Sequence, residues 1–144
     1  MLILGIGGWL HDGAAALVKD GRLIAAMEED NLIEQTVERG MLMKALHADL
    51  AATHPSVGDV RSIGLFGAVE LVRDRSTREP LAPFNSTSPE MESLRRFLLD
   101  RGLFVYTHWN IVLVLPPLII SEDELREGFS ILDEGLRQLE TGAR

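Results

Sequence analysis

The sequence contains no cysteine, which removes disulfides, thiolate nucleophiles and every cysteine-ligated zinc or iron–sulfur centre. Lysine is almost as scarce. Of the 14 basic side chains only Lys19 and Lys44 are lysines, so chemistry that needs a Schiff-base lysine has two candidates. No apolar run reaches the ~18 residues of a membrane span, and the opening Met-Leu-Ile-Leu-Gly-Ile has neither the basic start nor the length of a secretory leader. A cytoplasmic protein that stays off membranes is expected. Positive charge is also short: the net charge is -8 and the pI about 4.9, a balance that repels nucleic-acid backbones and anionic lipid alike. His11, His47, His54 and His108 are not spaced as a metal set, and no metal is expected.

What remains is ordinary for a single core. The 144 residues are 46% hydrophobic and 25% charged, enough for one domain and too few for two complete ones. Leu2 to Ile6 reads as a strand running into Gly7 and Gly8. Ala14 to Val18 and Arg22 to Met27 flank Asp20-Gly21, a strong hairpin signal. From Asn31 the period changes, and Ile33, Val37, Gly40, Met43, His47 and Leu50 predict one apolar stripe of a helix that Pro55 stops. His47 on that stripe is expected to be a packed core residue. Val60 to Val72, with glycines at 64 and 67, reads as a strand pair or one bent strand, followed by a polar loop over residues 73–85.

Ser88-Pro89 opens a helix, because serine caps orphan amides and proline costs nothing at the first helical position. Met91, Leu94 and Leu98 form its core face, and Gly102 its end. Leu103 to Thr107 and Ile111 to Leu115 predict a hairpin around His108-Trp109-Asn110. Ser121 and Glu124 form a capping box ahead of Leu125, Phe129, Leu132, Leu136 and Leu139, which repeat at steps of four and three. The order predicts an α+β fold: a small antiparallel or mixed sheet with about three helices packed on it, preceded by an N-terminal β-hairpin region.

Glu28-Glu29-Asp30-Asn31-Leu32-Ile33-Glu34, Gly40 and His54-Pro55-Ser56-Val57-Gly58-Asp59-Val60-Arg61 resemble the start of the small C-terminal domain in class III pyridoxal-phosphate aminotransferases. The similarity continues through Gly64-Leu65-Phe66-Gly67-Ala68-Val69-Glu70-Leu71-Val72 and the loop from Asp74 to Pro80. It resumes at Arg101-Gly102-Leu103, at Asn110, and at Pro116-Pro117-Leu118-Ile119-Ile120. Residues 28–144 are thus expected to form that domain. Residues 1–27, with His11-Asp12-Gly13 and the Ala14 to Ala26 hairpin, resemble instead the N-terminus of carbamoyltransferases with an actin-like fold, and are expected to be a separate segment.

In the aminotransferase family, the resemblance implies, the cofactor lysine, the carboxylate on the pyridinium nitrogen and the phosphate cup lie in a large domain upstream of the matched segment. No catalytic or cofactor-binding residue is therefore expected here, and pyridoxal phosphate is expected only in the full-length relative. Many relatives carry an arginine in the strand before Pro-Pro that grips a substrate carboxylate. This chain has none between Arg101 and Arg126. Tyr106, His108 and Trp109 occupy that region and are the candidate wall of a substrate pocket, one suited to an apolar or amine-bearing substrate. The second resemblance would place Gly7, Gly8, His11 and Asp12 at a nucleotide phosphate.

Three functional readings follow. One is an enzyme fragment, not catalytic alone, whose exposed apolar surface drives self-association into a homo-oligomer. A second is a non-catalytic binding or structural module in which the N-terminal hairpin covers a vacant sheet edge or groove, which it could do by adding strands. The third is a carbamoyltransferase-related piece that binds nucleotide.

Overall fold

The computed structural model describes the backbone of residues 2–7, 14–19, 22–28 and 32–142, and the side chains of residues 33–142. Three strands come first: β1 (Leu2–Gly7), β2 (Ala14–Lys19) and β3 (Arg22–Glu28). They pair antiparallel in the order β1-β2-β3 as a sheet of their own. The hairpin read from the alternating segments is present, although its Asp20-Gly21 turn lies outside the described residues. The expectation that these strands extend a neighbouring sheet edge is corrected, since none of them pairs with the second sheet.

The rest is one α+β layer pair. Helix α1 (Leu32–Thr53) leads into β4 (Val57–Ile63) and β5 (Phe66–Asp74), followed by the two-residue β6 (Glu79–Pro80), helix α2 (Pro89–Asp100), the short β7 (Tyr106–His108), β8 (Ile111–Val114) and helix α3 (Glu122–Gly142). The second sheet runs β4-β5-β8-β7 with β6 added to β5, and all its pairings are antiparallel. Residues 60 to 72 therefore divide into two strands, turning at Gly64-Leu65, where Gly64 has φ +53°.

Local chemistry accounts for the helix ends. Ser88 Oγ accepts from the Met91 amide at 3.2 Å with Pro89 behind it, which satisfies one of the orphan donors of α2. Ser121 and Glu124 close their box reciprocally: the Glu124 amide donates to Ser121 Oγ at 3.2 Å, and the Ser121 amide donates to the Glu124 carboxylate at 2.9 Å. At the far end of α1, Arg75 donates to the carbonyls of Ala51, His54 and Val57, so one guanidinium covers the last-turn Ala51 carbonyl and ties the helix end to β4.

The core lies between the helices and one sheet face. Met43 and Leu50 of α1, Val69 and Leu71 of β5, Val112 of β8, Leu94 and Leu98 of α2, and Leu125, Phe129, Leu132 and Leu136 of α3 are all buried. A side chain at Gly40 has no room, because its Cβ would come within 2.7 Å of the Gly64 backbone; α1 crosses the β4–β5 turn in direct main-chain contact. The stripe on α1 is only partly covered. Gly40, Met43, His47 and Leu50 are buried, whereas Ile33 and Val37 are 66% and 58% exposed; the sheet's approach to this end of α1 is the β4–β5 turn, where a Cβ on Gly64 would lie 3.5 Å from Thr36.

Candidate functional site: an open sheet face bordered by the aromatic hairpin

Alternation along the strands gives the five-stranded sheet two unlike faces. Gly67, Val69 and Val112 point at α1 and α3; a Cβ on Gly67 would lie 2.5 Å from the His47 ring. On the other face the register aligns Arg61, Ala68, Leu113 and Tyr106 across β4, β5, β8 and β7, with Asp59, Glu70, Ile111 and His108 in the next row. Among the described residues no helix covers it: Ile63, Phe66 and Tyr106 are 81%, 56% and 55% exposed. A shallow depression of about 350 Å³ there is lined by Arg61, Ser62, Ile63, Phe66 and Ala68. Arg61 is already engaged, 2.9 Å from Glu70 and 3.4 Å from Asp59, so this face carries little free charge.

The three candidate wall residues lie together at the border of this face. Tyr106 and His108 share a face of edge strand β7, their rings stacked with centroids 6.0 Å apart. His108 belongs to the strand, not to the hairpin tip, which is Trp109-Asn110 alone. The His108 and Trp109 rings lie 4.1 Å apart and Trp109 and Phe84 4.2 Å, giving a continuous strip of four rings. Trp109 sits at φ +54°, a conformation unfavourable for a bulky residue. Asn110 holds it there: its buried Nδ2 donates to the Leu71 carbonyl at 2.8 Å, and the Leu71 amide donates back to the Asn110 carbonyl at 2.8 Å. The tip is thereby tied to β5 by a two-way bond.

A second polar cluster escaped the sequence reading. His54, 1% exposed, places Nε2 2.9 Å from Asp133 and Nδ1 3.1 Å from Glu140. Ser56 donates to the other Glu140 oxygen through Oγ (2.6 Å) and its amide (3.1 Å), and Arg137 lies 2.6 Å from the other Asp133 oxygen. Burial pushes the Glu140 carboxyl upward, but the hydrogen bonds from Ser56 and His54 outweigh it and its pKa falls below the ordinary glutamate value. The cluster ties the end of α1 and the start of β4 to the last turns of α3. The available signal was the seven-residue spacing of Asp133 and Glu140, which puts both carboxylates on one side of a helix.

His47 is buried against Phe129, edge-on at 4.9 Å, as a packed core residue. Neither ring nitrogen has a well-formed hydrogen bond, and burial lowers its pKa below the ordinary imidazole value, with the Met43 carbonyl one turn back partly opposing. Of the candidate phosphate-loop residues, Gly7 ends β1, and Gly8, His11 and Asp12 lie outside the described residues. Of the two lysines, Lys19 ends β2 and Lys44 is solvent-exposed on α1, among the described residues. Among them, no helix is long and apolar enough to cross a membrane.

Comparison with known proteins places this architecture. A family model described as "Aminotransferase class-III" matches residues 8–136, beginning twenty residues before the boundary read from the sequence. The probable 4-aminobutyrate aminotransferase of Bacillus subtilis is 33% identical over 86% of this chain and 27% of its own length. The taurine–pyruvate aminotransferase of Rhodobacter capsulatus is 36% identical over 88% and 28%. The structure of a taurine:2-oxoglutarate aminotransferase from Bifidobacterium kashiwanohense, in complex with PLP and glutamate, superposes with a TM-score of 0.73 at 29% identity, covering 77% of this chain and 25% of that one. The chain spans about a quarter of the length of the curated relatives it matches. With the matched segment taking in all of the α+β layer except the last turns of α3, the chain belongs to the class III aminotransferase family.

Proposed function

We propose that this chain acts as the small C-terminal domain of a pyridoxal-phosphate-dependent transaminase that moves an amino group from an ω-amine to a keto acid, and that it does not carry the cofactor's anchor. The carrying observation is the helix-free sheet face. An α+β domain that leaves Ile63, Phe66 and Tyr106 open beside an aromatic strip has the surface expected where a larger cofactor-bearing domain packs and a substrate pocket is walled. The relatives named for 4-aminobutyrate and taurine support an ω-amine as donor. In the complete enzyme the cofactor would supply the electron sink for amino transfer. This domain's residues would exclude water and orient the substrate.

Taken alone, the chain then self-associates through that face. Analytical ultracentrifugation at rising concentration checks this: the chain forms dimers or larger species, and the double variant Ile63→Ser, Phe66→Ser shifts it toward monomer with unchanged circular dichroism. A wild-type chain that stays monomeric throughout contradicts the proposal.

Residues 1–27 are read as a segment apart, related to the carbamoyltransferase N-terminus. Their separate three-stranded sheet supports this; the class III match from residue 8 weighs against it. Nucleotide binding by that segment predicts ATP-dependent heat in calorimetry, and its absence removes that activity.

A further inference from the structure

We propose that His54 is a proton-gated clasp: with both ring nitrogens protonated it holds the last turns of α3 against the end of α1 and the start of β4, and loss of one ring proton releases them. The inference stands on the polar cluster alone and does not depend on the domain reading. Each ring nitrogen faces a carboxylate oxygen, Nε2 on Asp133 at 2.9 Å and Nδ1 on Glu140 at 3.1 Å. A neutral imidazole has one N–H, so its bare nitrogen would set a lone pair against one of those oxygens. Both carboxylates are also acceptors on their other oxygen. Glu140 takes the Ser56 hydroxyl and amide there, and Asp133 meets Arg137; the lowered Glu140 pKa agrees. Neither has a proton to offer the ring, which therefore donates on both sides. One imidazolium and one guanidinium then balance two carboxylates. Removing the ring proton leaves that balance one negative charge in excess around a ring that is 1% exposed.

This end of α3 has little else to hold it. From Arg137 to Gly142 no residue of the helix is fully buried, so apolar packing there is thin. Leu139, half-buried, lines with Gln138 and Gly142 a groove of about 380 Å³ between α3 and α2, and releasing the helix end frees one wall of that groove. The other charges nearby do not replace the ring proton. Arg75 sits on the His54 carbonyl and not on the ring, and Asp49 and Arg126, which share the adjoining α1–α3 cleft with Asp133, are of opposite sign. The clasp is thus closed only within a window of pH: rising pH removes the ring proton, and falling pH protonates Glu140.

The test follows the 144-residue chain by NMR as pH is raised. Ring nitrogen shifts of His54, assigned by through-bond correlation to its backbone, report protonation. Amide exchange, corrected for its intrinsic pH dependence, reports the hold on residues 137–142. The expected result is one shared midpoint: as the ring loses its proton, protection of those amides falls by about tenfold or more, as loss of one charged hydrogen bond implies, while residues 125–132 keep theirs. Glu140→Gln should remove this dependence, because its amide oxygen keeps the Ser56 bonds and its NH2 donates to the bare Nδ1. A helix that merely packs at this end has no reason to respond in that way. A His54 ring with a bare nitrogen beside a fully protected α3 end, protection that does not follow the ring, or a Glu140→Gln chain with the wild-type dependence overturns the proposal.

Discussion

His47→Leu should make this protein more stable, although it deletes a buried polar side chain. The neutral imidazole carries one donor and one acceptor nitrogen, both buried and without a well-formed partner. Each unsatisfied buried group costs about 1–3 kcal/mol. Against this, the variant loses the edge contact with Phe129, worth about 0.5–1.5 kcal/mol, and leucine is near enough in volume to refill the site beside Gly67. The net expectation is a gain of about 1–3 kcal/mol, or roughly 3–10 °C in Tm for a domain of this size.

The pH dependence sharpens the test. Because the folded-state pKa of His47 lies below its ordinary 6.5, the unfolded chain binds the proton first. Stability is full above about pH 6.5 and falls as pH drops from there toward the lowered value, by at most about 1.4 kcal/mol per pH unit. Urea unfolding of both proteins at pH 8, 6.5 and 5.5 should show a wild-type deficit that widens on acidification. A variant less stable than wild type at pH 8, or a gap independent of pH, would refute the reasoning.

Glu140→Ala should cost about 1–3 kcal/mol, since it strips partners from His54 and Ser56 at once, and hydrogen exchange should localise the loosening to the last turns of α3. Because the Glu140 pKa is lowered, the wild-type cluster contributes stability above the ordinary glutamate range and loses it as pH falls through the lowered value; the Glu140→Ala chain should lack this loss. Asn110→Ala should cost about 1 kcal/mol, the net worth of one hydrogen bond, because the Leu71 carbonyl keeps the Leu81 amide as its other donor, and near-UV circular dichroism should show Trp109 released. Gly40→Ala, normally favourable inside a helix by about 1 kcal/mol, should instead lower Tm, because the added methyl meets the Gly64 backbone at 2.7 Å.

The parts of this fold that were legible are those where local chemistry and tertiary packing agree. Ser121 with Glu124, and Ser88 with Pro89, announce α3 and α2, and the apolar repeats behind them are the faces found buried. Illegible features were those decided by distant partners. Ile33 and Val37 continue the periodicity of α1, but periodicity does not say how much of a stripe is covered. The β7–β8 turn was misplaced by one residue because two-residue turns usually declare themselves by Asn-Gly or Asp-Gly; here a tryptophan takes the positive φ, held by an asparagine bonded to β5. The buried His54 cluster joins residues some eighty positions apart, and no local pattern predicts that meeting. The candidate wall was found by what it lacks: the missing arginine drew attention to Tyr106, His108 and Trp109, while Phe84, which completes the strip, arrives from a loop with no sequence signal.

The central claim is that this domain contributes a wall and not a cofactor anchor, and the most direct measurement is incubation of the purified chain with pyridoxal phosphate, an ω-amine and pyruvate, followed by borohydride reduction and peptide mass mapping. The account predicts no site-specific reduced adduct on Lys19 or Lys44 and no alanine formed. A stoichiometric adduct on either lysine, together with turnover by the unaided chain, would contradict it.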